Sequence, residues 1–167
     1  MIRWLVLALL VPTSVLAQDL EIKVAGARAA EPEVLALVRS YTPYFVGWTS
    51  IEERDQKRRP MVAPGYFYHG QDGSDIGFDG LTERHKRNDL RLSYRRLDDV
   101  ILYQYENTAI LTYKDLDRGT DKGHAFEGYG SGAIIMTRTA DGWRVAADIM
   151  GPDPPPASAP QNEKRKK

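Results

Sequence analysis

The strongest structural constraint in this chain lies near its C-terminal end. Two runs of alternating apolar residues, 133–139 and 143–150, flank Asp141 and Gly142. Asp-Gly between such runs is typical of a tight β-hairpin, because glycine accepts the positive φ that the turn requires. The sequence therefore predicts a terminal hairpin whose second strand begins at Trp143. Such a hairpin, following an N-terminal helix, suggests a curved sheet that surrounds a pocket.

Residues 1–17 have the features of a secretory signal peptide. Arg3 gives a positive n-region, residues 4–11 are apolar, and Val15 and Ala17 place small residues at positions −3 and −1 of a cleavage site. We expect cleavage after Ala17, a periplasmic or secreted protein, and no membrane contact afterwards. The alternative is an uncleaved anchor, but the apolar run is shorter than the roughly 20 residues that span a bilayer.

The composition of the chain limits the classes of partner and of chemistry that we expect. Residues 18–167 are enough for one domain with a real core. The 23 basic and 23 acidic residues of the whole chain balance, and removal of Arg3 leaves a net charge of −1. This balance gives no indication of a nucleic-acid partner. The absence of cysteine excludes thiol catalysis and cysteine-bound metals.

The first half of the chain reads as helical. Residues 18–30 form a leader with one loose strand. Pro32 then begins a helix whose apolar residues recur every three or four positions up to Trp48, and Pro43 predicts a break near Thr42. Ser50 begins a capping box for a second helix, 51–59, whose charged composition predicts that it lies largely in water.

The second half reads mainly as β-structure. A short aromatic strand, 65–69, and a polar loop, 70–77, precede a third helix, 80–88, for which Asp79 is the expected cap. Long strands follow at 92–105, 108–116, 125–139 and 143–150, with a polar loop at 117–123. Glycines at every second position of 128–132 predict a bend or a close approach. Residues 151–167, proline-rich and then basic, are typical of a disordered tail.

This order of elements resembles the nuclear transport factor 2-like superfamily, within it the SnoaL-like and DUF4440-like groups. The segments that carry the resemblance are 45–53, 63–80, 106–109 and 137–145, and it extends over residues 31–150. It implies an α+β (cystatin-like) cone, in which N-terminal helices pack on a strongly curved antiparallel sheet around a pocket. Members include isomerases, dehydratases and non-enzymatic modules, often homodimers formed through the sheet, so the fold alone does not define the activity.

His69 is the first candidate catalytic residue. The resemblance places it near the position of a carboxylate base in ketosteroid isomerase-like members, and histidine exchanges protons near neutral pH. The alternative is a strand-end histidine bonded to a loop carbonyl. Ser131 and Tyr41 depart from the other isomerase positions, which argues against steroid isomerase activity. His85, among charged residues, is expected on a solvated helix face.

Asp148 is the second candidate catalytic residue. Simple alternation predicts that Asp148 shares a face of the strand with Arg144, Ala146 and Met150. Trp143 would then lie on the opposite face. If its face lines the pocket, Asp148 orients His69 or binds a substrate hydroxyl. If not, Asp148 is solvated or pairs with an arginine.

Aromatic residues provide the candidate ligand-binding surface, because they combine an apolar body with a polar tip. They are Trp48, Tyr68, Tyr103, Tyr113 and Tyr129. The alternative is that most belong to the core or to a dimer interface. The three histidines are too far apart for a metal signature, so we expect no metal and no cofactor.

The sequence therefore predicts an exported domain that binds a small, partly apolar ligand, with proton-transfer chemistry of an isomerase or dehydratase type at His69 and Asp148. The alternative is a non-catalytic, dimeric interaction module.

Overall fold

The computed structural model describes residues 20–26, 28–46, 48 and 50–152. The predicted signal peptide and residues 153–167 of the predicted tail lie outside the described residues, as does the side chain of Phe45 in the predicted helical stripe. Within the described part of the chain, no helix is both long and apolar enough to cross a membrane.

Three helices cover one face of a sheet. Helix α1 spans Pro32–Tyr41 and buries Val34, Val38 and Tyr41. It ends where Pro43 predicts a break, and a 3₁₀ turn, Thr42–Phe45, follows. Helices α2, Ile51–Arg58, and α3, Phe78–Asn88, pack on each other.

The predicted capping box of α2 is confirmed, because the Ser50 hydroxyl accepts a hydrogen bond from the Glu53 N–H at 3.1 Å. The prediction that α2 lies largely in water is wrong for its inner face. Arg54, Asp55 and Arg58 are all buried there.

Seven strands form one open sheet in the order β1-β4-β5-β6-β7-β2-β3. Their bounds are β1 Lys23–Ala25, β2 Val62–His69, β3 Asp75–Gly77, β4 Arg91–Gln104, β5 Thr108–Asp121, β6 His124–Thr139 and β7 Gly142–Pro152. β1 pairs with β4 and β2 pairs with β7 in parallel, and every other pairing is antiparallel. This is the α+β cone that the sequence predicts.

Two cross-strand rows define the two faces of the sheet. Leu102, Leu111 and Ile134 stand opposite one another on β4, β5 and β6, are at most 1% exposed, and lead to Asp148 on β7. This row lies on the concave face, under the helices. The next row, Ile101–Thr112–Ala133–Ile149, lies on the convex face by alternation.

A β-bulge in β7 changes the predicted face assignment. Ile135 pairs with Ala147 and Met136 with Val145, so Ala146 is an extra residue without an opposite partner. An extra residue reverses the alternation of the strand beyond it. The concave face is therefore shared by Trp143 and Val145, which precede the bulge, and Asp148, which follows it. The prediction that Trp143 and Asp148 lie on opposite faces of β7 was wrong.

Local boundaries also differ from the sequence-based ones. β5 continues to Asp121, so most of the predicted loop 117–123 is strand. Helix α3 begins at Phe78 without a side-chain cap, and Asp79 lies in its first turn. β7 continues through Gly151 and Pro152, the first residues of the predicted tail.

The predicted Asp141-Gly142 hairpin is present and is held against the start of α1. Gly142 has a φ of 95°. The indole N–H of Trp143 donates to the Glu31 carboxylate at 3.2 Å, and Arg138 also donates to Glu31 while lying 4.9 Å above the indole ring. The terminal hairpin therefore fixes the position of the first helix on the sheet.

Candidate functional site

A cavity of about 340 Å³ lies between the helices and the concave face of the sheet. Volumes of this size are typical of small-molecule sites. Its wall combines aliphatic, aromatic and charged side chains. Aliphatic positions include Leu81, Leu90, Leu92 and Met150, and the charged ones among the described residues are four arginines and four aspartates.

A buried polar cluster is centred on Asp148, which is 3% exposed. Its Oδ2 accepts hydrogen bonds from the hydroxyls of Tyr41 at 2.6 Å and Tyr66 at 2.7 Å. The Arg58 guanidinium donates to the same oxygen at 3.1 Å and also to the Tyr41 hydroxyl. Helices α1 and α2 and strands β2 and β7 thus each contribute one residue, so this cluster joins the helical layer to the sheet.

The protonation states of this cluster follow from its burial. Burial and the negative charge of Asp148 raise the pKa values of Tyr41 and Tyr66, so both phenols keep their protons and donate. Burial by itself lowers the pKa of Arg58, but the hydrogen bond to the Tyr41 hydroxyl and the negative charge of Asp148 outweigh burial and raise it. The cluster is therefore an ion pair with two neutral donors.

The second oxygen of Asp148 differs from the first. Oδ1 is buried, and no N–H or O–H of the described residues makes a hydrogen bond to it. A buried acceptor without a donor costs about 1–3 kcal/mol. Asp148 also belongs to the wall of the cavity.

Arg54 and His85 form a second polar group on the helical side of the cavity. Arg54 donates to Asp55 at 2.8 and 3.0 Å and to Nδ1 of His85, and its guanidinium lies 5.2 Å above the Trp48 ring. Burial and the charge of Arg54 lower the pKa of His85 to about 3, so its ring is neutral at pH 7. Since arginine can only donate, Nδ1 is the acceptor and Nε2 carries the hydrogen.

The sheet side of the cavity has its own ion pairs. Arg95 on β4 donates to Asp117 on β5 and lies 3.3 Å from Asp115. The glycines of β6 provide the space beside these side chains. A Cβ on Gly130 would stand 2.5 Å from Asp115 Oδ1, and one on Gly132 would stand 2.5 Å from the Tyr113 ring. The predicted close approach at these glycines is therefore an approach by side chains of the neighbouring strand.

Most of the predicted site residues line this cavity. They are Trp48, Tyr68, Tyr113, Tyr129 and Asp148. Tyr103 is not among the lining residues, because it alternates with the buried Leu102 and Gln104 and therefore faces the convex side.

His69 is also outside the cavity wall. It stands opposite Ile149 in the convex row, its side chain is 41% exposed, and its Nδ1 lies 2.7 Å from Asp75 Oδ1. Tyr68, one residue earlier, is the one that stands opposite Asp148. The structure therefore does not bring His69 and Asp148 to a common point on one face.

Three important residues were not singled out as site residues from the sequence. Arg54 and Arg58 are four residues apart, so they lie on one face of α2, and His85 completes the wall from α3. His85 was expected in water, and that expectation is wrong. The available signal was that α2 lacks an apolar stripe, so its buried face had to consist of arginines with acidic partners.

Among the described residues, no group of three or more histidine, aspartate or glutamate side chains is arranged to hold a metal ion.

Comparison with known proteins finds similar structures but no similar sequence. No protein-family model and no curated protein matches the sequence. An NTF2-like protein of unknown function in nutrient uptake from Rhodospirillum rubrum superposes with a TM-score of 0.63 at 15% identity, covering 72% of this chain and 98% of that one. A ketosteroid isomerase-like protein from Erwinia carotovora atroseptica gives 0.56 at 14%, covering 74% and 95%. The CamKII hub homology domain of Chlamydomonas reinhardtii gives 0.55 at 12%, covering 73% and 97%.

The chain therefore has the NTF2-like fold, as its resemblance to that superfamily implies. At these identities the likeness concerns the fold and not the activity. The narrower SnoaL-like or DUF4440-like grouping stays a prediction.

Proposed function

We propose that this chain binds a small, partly apolar molecule in the cavity under its helices. The main supporting observation is Asp148, a buried carboxylate in the cavity wall. One of its oxygens accepts several hydrogen bonds, and the other has no donor among the described residues. Buried polar atoms normally have partners. A bound molecule that donates to Oδ1 would therefore give this carboxylate a role in ligand binding as well as in stability.

The rest of the wall supports an apolar ligand body. Trp48, Tyr68, Phe126 and Tyr129 offer aromatic surface, and a few polar groups among apolar ones are typical of ligand sites. Gly128 adds open space, because a Cβ on it would meet no atom within 4 Å. A flat ring can lie against this part of β6.

Proton transfer has weaker support than binding. The chemistry expected from the sequence pairs His69 with Asp148, and a structural neighbour is described as ketosteroid isomerase-like. Only Asp148 of that pair lines the cavity, and its Oδ2 already accepts three hydrogen bonds. Binding without catalysis is therefore the activity that the geometry supports best.

A thermal-shift screen of small aromatic compounds tests this proposal, using the wild type and two variants. Gly128→Val fills the open part of the cavity without strain, because Gly128 has no positive φ. His69→Ala removes an exposed side chain outside the cavity and is the matched control. A ligand that stabilises the folded state raises the melting temperature.

We expect a compound that raises the melting temperature of the wild type and of His69→Ala, but not of Gly128→Val. Loss of the shift in His69→Ala with retention in Gly128→Val would move the site away from this cavity. No shift with any compound would contradict small-molecule binding.

Self-association is the second candidate function. The convex row Ile101–Thr112–Ala133–Ile149 borders a shallow groove, flanked by Lys23, Lys114 and Asp99. Apolar residues bordered by both signs of charge suit contact with a second copy of the same face, and one structural neighbour is a hub homology domain. Light scattering after gel filtration tests this: Ile101→Lys should convert a dimer to a monomer, and a monomeric wild type would contradict the idea.

Export is the remaining part of the proposal. Arg3, the apolar segment 4–11 and the small residues before position 18 support a cleaved signal. Mass spectrometry of the protein recovered from a bacterial periplasm should give an N-terminus at Gln18. An intact N-terminus in the cytoplasm would contradict export.

A further inference from the structure

The charges around the cavity limit which polar groups a ligand can bring to it. In the described part of the wall, the four arginines equal the four aspartates in number, and His85 is neutral. Around Asp148 itself, Arg58 is 3.1 Å from Oδ2, and both side chains are at most 4% exposed. The opposite charges of Arg58 and Asp148 therefore cancel each other.

An ion is therefore poorly suited to this end of the cavity. A buried ion without an opposite charge is costly because it loses its hydration. A ligand carboxylate would meet the negative charge of Asp148, and an ammonium group would meet Arg58. An uncharged donor meets neither penalty, since it needs only an acceptor.

Oδ1 of Asp148 is such an acceptor. The Tyr41 and Tyr66 hydroxyls and Arg58 all donate to Oδ2 and hold the carboxylate in place. A carboxylate oxygen is only an acceptor, so the group that satisfies Oδ1 must bring a hydrogen of its own.

The shape of the cavity defines the remainder of the ligand. Tyr68 stands opposite Asp148 in the neighbouring strand, and both residues line the cavity. A ligand donor at Asp148 therefore places its body beside the Tyr68 ring, with the open surface at Gly128 elsewhere in the same wall. Offset or edge-on contact with aromatic rings favours a ligand that is itself a ring.

Resting on the small-molecule binding proposed above, we infer that the ligand class is an uncharged aromatic alcohol or phenol, whose hydroxyl donates to Oδ1 of Asp148. The carboxylate selects for the hydroxyl hydrogen, and the self-neutralised Arg58–Asp148 pair selects against charged analogues.

Three matched probes test this inference by calorimetric titration of the full chain. The first is 4-ethylphenol, which carries a donor, the second is 4-ethylanisole, which replaces the hydroxyl by a methyl ether, and the third is 4-ethylbenzoate, which is an anion. We expect 4-ethylphenol to bind about tenfold more tightly than either analogue, since one hydrogen bond to a charged acceptor distinguishes it. This comparison needs no variant and is independent of folding defects.

Asp148→Asn, measured under conditions in which it is folded, should lose about tenfold in affinity for 4-ethylphenol and keep its affinity for 4-ethylanisole. Asp75→Asn, an exposed carboxylate outside the cavity wall, is the control and should change neither affinity.

The phenol inference and small-molecule binding would be contradicted by different results. Equal binding of the phenol and the ether, or tightest binding of the benzoate, would overturn the phenol inference while leaving small-molecule binding intact. If none of the three probes binds and the compound screen also gives no stabilisation, small-molecule binding and the inference both fail.

Discussion

Replacement of Asp148 by asparagine tests the buried cluster most sharply. The substitution keeps the shape of the side chain and removes its charge. Arg58, 3% exposed, would then be a buried cation that has lost its carboxylate. The hydrogen bonds from Tyr41 and Tyr66 would persist to a neutral amide oxygen and weaken, because charge-assisted hydrogen bonds are roughly twice as strong as neutral ones.

The expected magnitude follows from the burial of the pair. Removing one partner of a buried ion pair costs about 3–5 kcal/mol, which is a large part of the roughly 5–15 kcal/mol that stabilises a typical domain. With a urea dependence of about 2 kcal/mol per molar, the unfolding midpoint of Asp148→Asn should fall by about 2 M. Urea denaturation at pH 7, followed by circular dichroism, measures this.

Two controls separate the pair from its surroundings. Asp75→Asn, at an exposed ion pair, should change the free energy of unfolding by less than about 0.5 kcal/mol. The double variant Arg58→Met, Asp148→Asn should lose less than the sum of the single variants by about 1 kcal/mol or more. A loss below about 1 kcal/mol in Asp148→Asn, or strict additivity in the double variant, would refute the coupled buried pair.

Three further predictions concern other parts of the site and fold. Because the folded-state pKa of His85 is about 3 and its ordinary value is 6.5, the unfolded state takes up the proton first as the pH falls. Stability should therefore decrease as the pH falls from 6.5 to 5, by up to about 1.4 kcal/mol per pH unit, and His85→Asn should flatten this dependence; a flat wild-type profile would contradict the half-buried, neutral ring. Gly132→Ala should cost about 1–3 kcal/mol because its Cβ meets the Tyr113 ring, whereas Gly128→Ala should be nearly neutral; equal urea midpoints would contradict the packing. Ser50→Ala should cost about 1 kcal/mol by loss of the helix cap, and an unchanged midpoint would count against it.

Features with a local physical signal could be predicted from the sequence. The Asp141-Gly142 turn, the break of α1 before Pro43 and the Ser50 cap each depend on residues within a few positions of one another. The order of these local elements was sufficient to indicate the NTF2-like cone. The pairing and packing of these elements in three dimensions were harder to predict.

The face of β7 is the clearest example of what the sequence does not specify. Ala146 is an ordinary strand residue, and its bulge arises only from pairing with Ile135 and Met136 of β6. Without the bulge, Trp143 and Asp148 would occupy opposite faces. The site placement of Asp148 therefore depends on a register that no local pattern contains.

The buried arginines were missed for a related reason. Arg54 and Arg58 lie in a highly charged helix, and a charged helix usually faces water. Their partners include Asp148, 90 residues away from Arg58, and the side chain of His85. Only the folded chain brings these charges together, and their mutual compensation is what permits their burial.

A crystal structure of the full chain grown with 4-ethylphenol would show directly whether a phenol binds at Asp148. We expect a ring in the cavity beside Tyr68 and Gly128, with its hydroxyl oxygen within about 3 Å of Asp148 Oδ1. A cavity that contains only water, or a ring whose oxygen approaches an arginine while Oδ1 stays without a donor, would contradict it.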